Sequence, residues 1–168
     1  MYKYLSIVVL IIIFSLTVFS KSSATSANTP SWHLPTIATV LAYSQPTTTG
    51  SLTPVQSYIM HQINQYRASL GLSPVQPSDQ TCAFADMRAK EIATDFSHAG
   101  FTQRYEAHTI PYTYWSYITE NLAEAPDYRE VVRLWENSPT HDTNLRANTP
   151  YICVMQYHDY YAFEGMRP

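Results

Sequence analysis

The stretch TPVQSYIMHQINQYRASLGL, residues 53–72, carries both ends of a helix in its own letters. Thr53 is a good N-cap, Pro54 suits the first helical position, and Gln56 sits where its side chain closes a capping box on Thr53. Val55, Ile59, Ile63, Tyr66 and Leu70 then recur at helical spacing, which gives the helix one apolar face. Gly71 and Leu72 supply the glycine stop and its following hydrophobic contact. Folded structure therefore begins sharply at Thr53, and the rest of the chain is read outward from there.

Downstream, a loop bracketed by Pro74 and Pro77 leads to Ser78 or Asp79 as the next cap. Cys82, Ala85, Ala89, Ile92 and Phe96 step by three and four and predict a second helix ending near Ser97, with Gly100 beyond it. From Gly100 to Ile118 aromatics and turn residues follow without a sustained period, so this segment reads as a loop carrying one short helix. Asp127 and Glu130 open a third helix whose Tyr128, Val131 and Trp135 share a face, and Ser138-Pro139 starts a short one through His141 and Leu145. Ile152–Tyr157 and Tyr160–Glu164 are β-rich runs around His158-Asp159, the pattern of a hairpin. The fold class is α+β, helices first and a C-terminal β-hairpin, over residues 53–168.

Upstream the composition changes. Lys3 precedes an apolar run from Leu5 to Phe19 in which Ser6, Ser15 and Thr17 are the only polar residues, and small residues follow at Ser22, Ala24, Thr25 and Ala27. Residues 1–27 read as a signal peptide or, uncleaved, as an N-terminal membrane anchor. Between Lys21 and Arg67 there is no Asp, Glu, Lys or Arg, and residues 22–53 hold fourteen Ser/Thr and three Pro. Residues 28–52 are accordingly a Ser/Thr/Pro-rich uncharged linker. Its apolar patch at Trp32, Leu34, Ile37, Val40 and Leu41 straps onto the domain, rests on a membrane, or is incidental. Either reading of the first segment places the remainder outside the cytoplasm, secreted or anchored.

With 168 residues the chain holds one domain rather than two. Ten Lys+Arg against thirteen Asp+Glu give a net charge of -3 with no basic block, which excludes nucleic acid as a partner. The membrane enters only through the N-terminal segment. Export bears on the two cysteines, because oxidising conditions favour pairing of Cys82 with Cys153; two buried free thiols are the alternative, and no close-spaced second ligand pair supports a metal site on them. No Gly-x-Ser-x-Gly turn occurs, and the four glycines are too few for a phosphate-cradling loop.

Asn64-Gln65-Tyr66-Arg67, Ser97-His98-Ala99-Gly100-Phe101, Glu120-Asn121-Leu122-Ala123 and Trp135-Glu136-Asn137-Ser138-Pro139-Thr140-His141 follow one another in an order that resembles the CAP superfamily. That superfamily comprises the cysteine-rich secretory, antigen 5 and pathogenesis-related proteins, and its module is also called the SCP domain. The likeness is greatest to its short bacterial exported branch. It implies an α-β-α sandwich with a cleft into which two His and two Glu face. His98, Glu120 and His141 match three of the four, while Ser138 stands near the position of the second Glu, so no complete catalytic set is present.

Two imidazoles and a carboxylate are the donor set of a catalytic zinc, with three protein ligands and one open position. With one carboxylate missing, His98, Glu120 and His141 would hold a divalent metal such as zinc weakly, and only while both imidazoles are neutral. A Glu between two His can equally fix their tautomers in a purely structural role. Glu106 and His108 in the aromatic loop are secondary candidates; His33, His61 and His158 have no motif context. Three functions are therefore expected: a cleft-based binding or interaction module for a small ligand, lipid, glycan or peptide; a metal-assisted, peptidase-like hydrolase; or a structural cell-surface domain. The tyrosine-rich composition favours the first, since aromatic faces suit sugar and apolar ligands alike.

Overall fold

The computed structural model describes residues 50–168; the expected signal or anchor at 1–27 and all but the last residues of the linker at 28–52 lie outside the described residues. The elements are α1 (Pro54–Ser69), α2 (Asp79–Ile92), α3 (Ala99–Glu106), β1 (Tyr117–Glu124), a 3₁₀ turn (Tyr128–Glu130), α4 (Val131–Glu136), α5 (Pro139–Arg146), β2 (Tyr151–Tyr157) and β3 (Tyr160–Arg167). Among the described residues no helix is long and apolar enough to cross a membrane.

The α1 boundaries follow the sequence. The Gln56 backbone N–H donates to Thr53 Oγ1 at 3.2 Å, and the Thr53 N–H donates to Gln56 Oε1 at 2.8 Å, completing the capping box. At the other end Gly71 takes φ +72, so that Leu72 N–H can reach the Arg67 carbonyl at 2.9 Å. Ser78 caps α2, which stops at Ile92, short of the expected Ser97. Phe96 consequently lies off the helix, 50% exposed against Tyr160.

The three strands form one antiparallel sheet in the order β1-β3-β2. The hairpin is the expected one, with His158 in the left-handed region at φ 54 between its strands. β1 corrects the expectation of strands only at the end of the chain. Its interior is buried without a break, and three of those residues are Thr119, Glu120 and Asn121, so no apolar alternation marks it.

Register sorts the side chains into two cores. On one face Ile118, Leu122, Ala162, Met166 and Tyr151 meet Phe84, Ala89 and Ile92 of α2. On the other, Ala123, Tyr161, Phe163, Ile152 and Val154 meet Ile59, Met60 and Ile63 of α1, Val132 and Trp135 of α4, and Leu145 of α5. The result is a helix-sheet-helix sandwich. Cys82 of α2 and Cys153 of β2 are joined in a disulfide at a Cα–Cα distance of 4.9 Å, clamping α2 to the hairpin.

The bridge closes a loop with a sequence separation of 71, worth roughly 4 kcal/mol of denatured-state entropy in the chain model. Replacing both cysteines by alanine should lower the thermal midpoint by about 10 °C or more in a scanning melt. Thiol titration of the denatured, unreduced protein should find no free SH; two thiols per chain would contradict the pairing.

Candidate functional site

The register places Glu120 of β1 directly opposite Glu164 of β3, and Glu164 opposite Cys153 of β2, all on the α2 face. Two carboxyls side by side in a core need a counter-charge, and α2 supplies it. Arg88, 1% exposed, sends Nε to Glu120 Oε2 at 2.6 Å, Nη1 to Glu91, and Nη2 to the Ser97 carbonyl at 2.8 Å. Arg104 of α3 pairs with the same Glu91. Sequence reading missed Arg88, although it falls on the apolar stripe of Ala85, Ala89 and Ile92, where a lone charge signals a buried partner.

His98 occupies the position before α3 and turns Nδ1 to the second Glu120 oxygen, Oε1, at 2.7 Å, while half its side chain stays in solvent. Burial alone would raise the Glu120 pKa, but the hydrogen bonds from His98 and Arg88 outweigh it and hold it below the ordinary carboxylate value. Glu164 goes the other way: burial and the neighbouring Glu120 charge push it well above that value. Neither Glu164 oxygen has a partner while ionised, so it is held as a neutral acid that can donate to Glu120.

His141 arrives on α5, from the opposite side of the sheet. Its ring lies 6.1 Å from that of His98, centroid to centroid, past the edge of β1. Burial, and then the charge of His98, lower its pKa, so it is neutral at pH 7. Ser138 occupies the N-cap position of α5 without a side-chain cap bond. Glu106 and His108 are exposed.

The structure thus brings His98 and Glu120 into contact and His141 beside them, but the set does not fit a metal. Both Glu120 oxygens are taken, by Arg88 and by His98, and the Arg88 cation adjoins the position. Among the described residues no group of three or more His, Cys, Asp or Glu is arranged to hold an ion. The two imidazoles alone fall short of the three protein ligands a catalytic zinc uses.

The other motif residues serve the fold. Asn64 brackets Val75 with bonds of 2.8 and 3.0 Å to its N–H and carbonyl. Arg67 donates to the carbonyls of Ser73, Leu145 and Ala147, and Tyr66 to Asp142. Asn144 Nδ2 reaches the Glu120 carbonyl at 2.9 Å, Trp135 Nε1 the Leu122 carbonyl at 2.9 Å, and Asn121 Nδ2 the His141 carbonyl at 2.9 Å.

Phe101 and Tyr105 of α3 with Trp115, Tyr117 and Ile118 line a groove of about 240 Å³. Tyr117 also borders a second groove of about 370 Å³ lined by Thr143, Arg146 and Arg167.

The sequence pattern of the cysteine-rich secretory protein (CAP) family matches residues 60–156, more than half of the chain. The chain belongs to the CAP family. Among solved structures it is similar to an extracellular protein containing a SCP domain from Bacillus anthracis, at 22% identity and TM-score 0.60, over 71% of this chain and 45% of that one. A cysteine-rich secretory protein from Staphylococcus aureus matches at 18% identity and TM-score 0.56, over 68% and 38%. An outer surface protein from Borrelia burgdorferi matches at 20% identity and TM-score 0.56, over 66% and 90%. These likenesses are of fold, and the CAP domain spans less than half the length of the first two. A comparison with curated proteins finds no match.

Gly100 tests the cluster geometry. A Cβ there would stand 2.3 Å from Arg88 Nη1 and 2.7 Å from Glu91 Oε2. Gly-to-Ala inside a helix ordinarily stabilises by about 0.5–1 kcal/mol; because Arg88 is fixed by three acceptors, Gly100→Ala should instead lower the midpoint of chemical denaturation. A rise would show that Arg88 is free to move.

The Glu164 proton gives a second test. Its folded pKa lies above the unfolded value of about 4.3, so the folded state holds a proton the unfolded state has released, and stability falls as pH rises from there through the folded pKa. Glu164→Gln should therefore raise the melting midpoint more at pH 8 than at pH 5. Equal shifts at both pH values would place the Glu164 charge elsewhere.

Proposed function

We propose that the protein is an extracytoplasmic CAP-domain binding module whose cleft takes a lipid, peptide or glycan ligand. The observation that carries this reading is the aromatic groove at the start of β1, where Tyr105 and Trp115 stand 5.7 Å apart and Tyr105 and Tyr117 remain 49% and 41% exposed. Large apolar faces left in water around a concave surface mark recognition sites. The extracellular protein of Bacillus anthracis and the outer surface protein of Borrelia burgdorferi, which share the fold, support the location, as does the N-terminal apolar run.

Hydrolysis is the less supported reading. A general base needs a free oxygen near the scissile bond, and Glu120 spends both on Arg88 and His98. What the cluster supplies is a rigid wall, with one face of His98 left in solvent.

Of the three tryptophans Trp115 lies in the groove and Trp135 in the core, while Trp32 belongs to the linker, so the Trp115 signal is read as the difference between the wild type and Trp115→Ala. Titration with a neutral oligosaccharide, a long-chain fatty acid and an unstructured peptide should quench or shift Trp115 emission for at least one of them. Trp115→Ala should weaken that binding about tenfold or more with unchanged circular dichroism. Turnover of the peptide that is abolished by His98→Ala would favour the hydrolase instead.

A further inference from the structure

Arg167 ends β3 opposite Tyr117 in the β1 register. Its guanidinium lies over the Tyr117 ring at 5.4 Å, and its Nε donates to Ser116 Oγ at 3.1 Å. Among the described residues the other basic side chains are accounted for. Arg88, Lys90, Arg104, Arg129, Arg133 and Arg146 each pair with a carboxylate, and Arg67 is buried on backbone carbonyls. Among the described residues Arg167 forms no ion pair with an Asp or Glu, although acidic residues outnumber basic ones thirteen to ten in the sequence.

Its position is the second observation. Tyr117 forms the border between the aromatic groove and the groove that holds Arg146 and Arg167, so the unpaired cation stands where the two meet. Aromatic faces accept the C–H face of a sugar ring, and the terminal nitrogens of a guanidinium accept a carboxylate or phosphate as a fork.

We propose that the two grooves on either side of Tyr117 bind one acidic polysaccharide, whose rings stack on Trp115 and Tyr105 while a carboxylate or phosphate substituent farther along the polymer pairs with Arg167. This rests on the binding-module reading above and adds the charge of the ligand. Concavity favours a glycan over a membrane surface, because the Trp115 face lines a groove rather than a protruding rim.

The test uses the full-length protein with three probes: polygalacturonate, its fully methyl-esterified neutral form, and a phosphomannan. Retention is expected on the first, the third or both, separating carboxylate from phosphate, with at least tenfold weaker retention on the neutral form. Arg167→Gln and Trp115→Ala should each weaken binding of the acidic probe about tenfold. Replacing Arg133 of α4, whose cation pairs with Glu130 of the preceding 3₁₀ turn, by Gln (Arg133→Gln) should leave it unchanged. Loss in Trp115→Ala but not Arg167→Gln would keep the groove and overturn its preference for charge. No retention on any probe, or equal retention by Trp115→Ala, would overturn the glycan assignment. A specific loss of binding to phosphatidylglycerol vesicles in these two variants, without glycan retention, would reassign the face to a membrane.

Discussion

A guanidinium with five donors cannot leave water unless acceptors meet it on every side, and Arg88 is 1% exposed. That requirement organises one half of the molecule. β1 must bring Glu120 to Nε, α2 must keep Glu91 within reach, and the chain after α2 must turn so that the Ser97 carbonyl faces Nη2. Gly100 follows because no side chain fits against Nη1. The Ser-His-Ala-Gly motif is thus the wrapping of a buried cation. His98 is held in place by the carboxylate that Arg88 has already fixed. Such a pair adds little over an apolar core of equal shape, but losing one partner strands the other at a cost of about 3–5 kcal/mol.

The second half is organised by the edge of the sheet. β1 has a strand on one side only, and its alternate carbonyls at Glu120 and Leu122 receive the Asn144 amide and the Trp135 indole. α4 and α5 therefore cover an edge that would otherwise be open to pairing with another chain. Pro139 starts α5 after the Ser138 turn, and Leu145 buries in the α1 core, so the segment from Trp135 to Asn144 closes like a zipper along β1. Where this zipper meets the wrapping around Arg88, the two histidines come together.

Local signals were legible in the sequence. The Thr53 capping box, the Gly71 stop, the cysteine pair and the hairpin each depend on a few neighbouring letters or on chemistry that the compartment dictates. β1 was not legible because three of its buried residues, Thr119, Glu120 and Asn121, are polar, and Glu120 and Asn121 are satisfied by Arg88 and His141, which lie 20 or more residues away in the chain. Arg88 and Glu164 were hidden for the same reason, each a single charge in an apolar pattern whose partner lies on another element. His98, Glu120 and His141 were found as a cluster only through family resemblance. The absence of a carboxylate at Ser138 was visible, whereas the occupation of Glu120 by Arg88 required the fold.

These two constraints divide the labour around the site. Glu120, Asn121, Asn144 and Trp135 hold elements together through their bonds to Arg88, His98 and the carbonyls of β1 and α5. The residues at the start of β1 carry no such burden. Tyr105, Tyr117 and Trp115 keep ring surface in solvent, and Tyr114 beside them is 70% exposed, at a cost of roughly 25 cal/mol for each Å² of apolar area left wet. Arg88 and His98 tie α2 and the turn before α3 to Glu120 of β1, and α3 and the start of β1 are the two elements that line the aromatic groove, so the buried ion-pair cluster sets the spacing of the groove's walls.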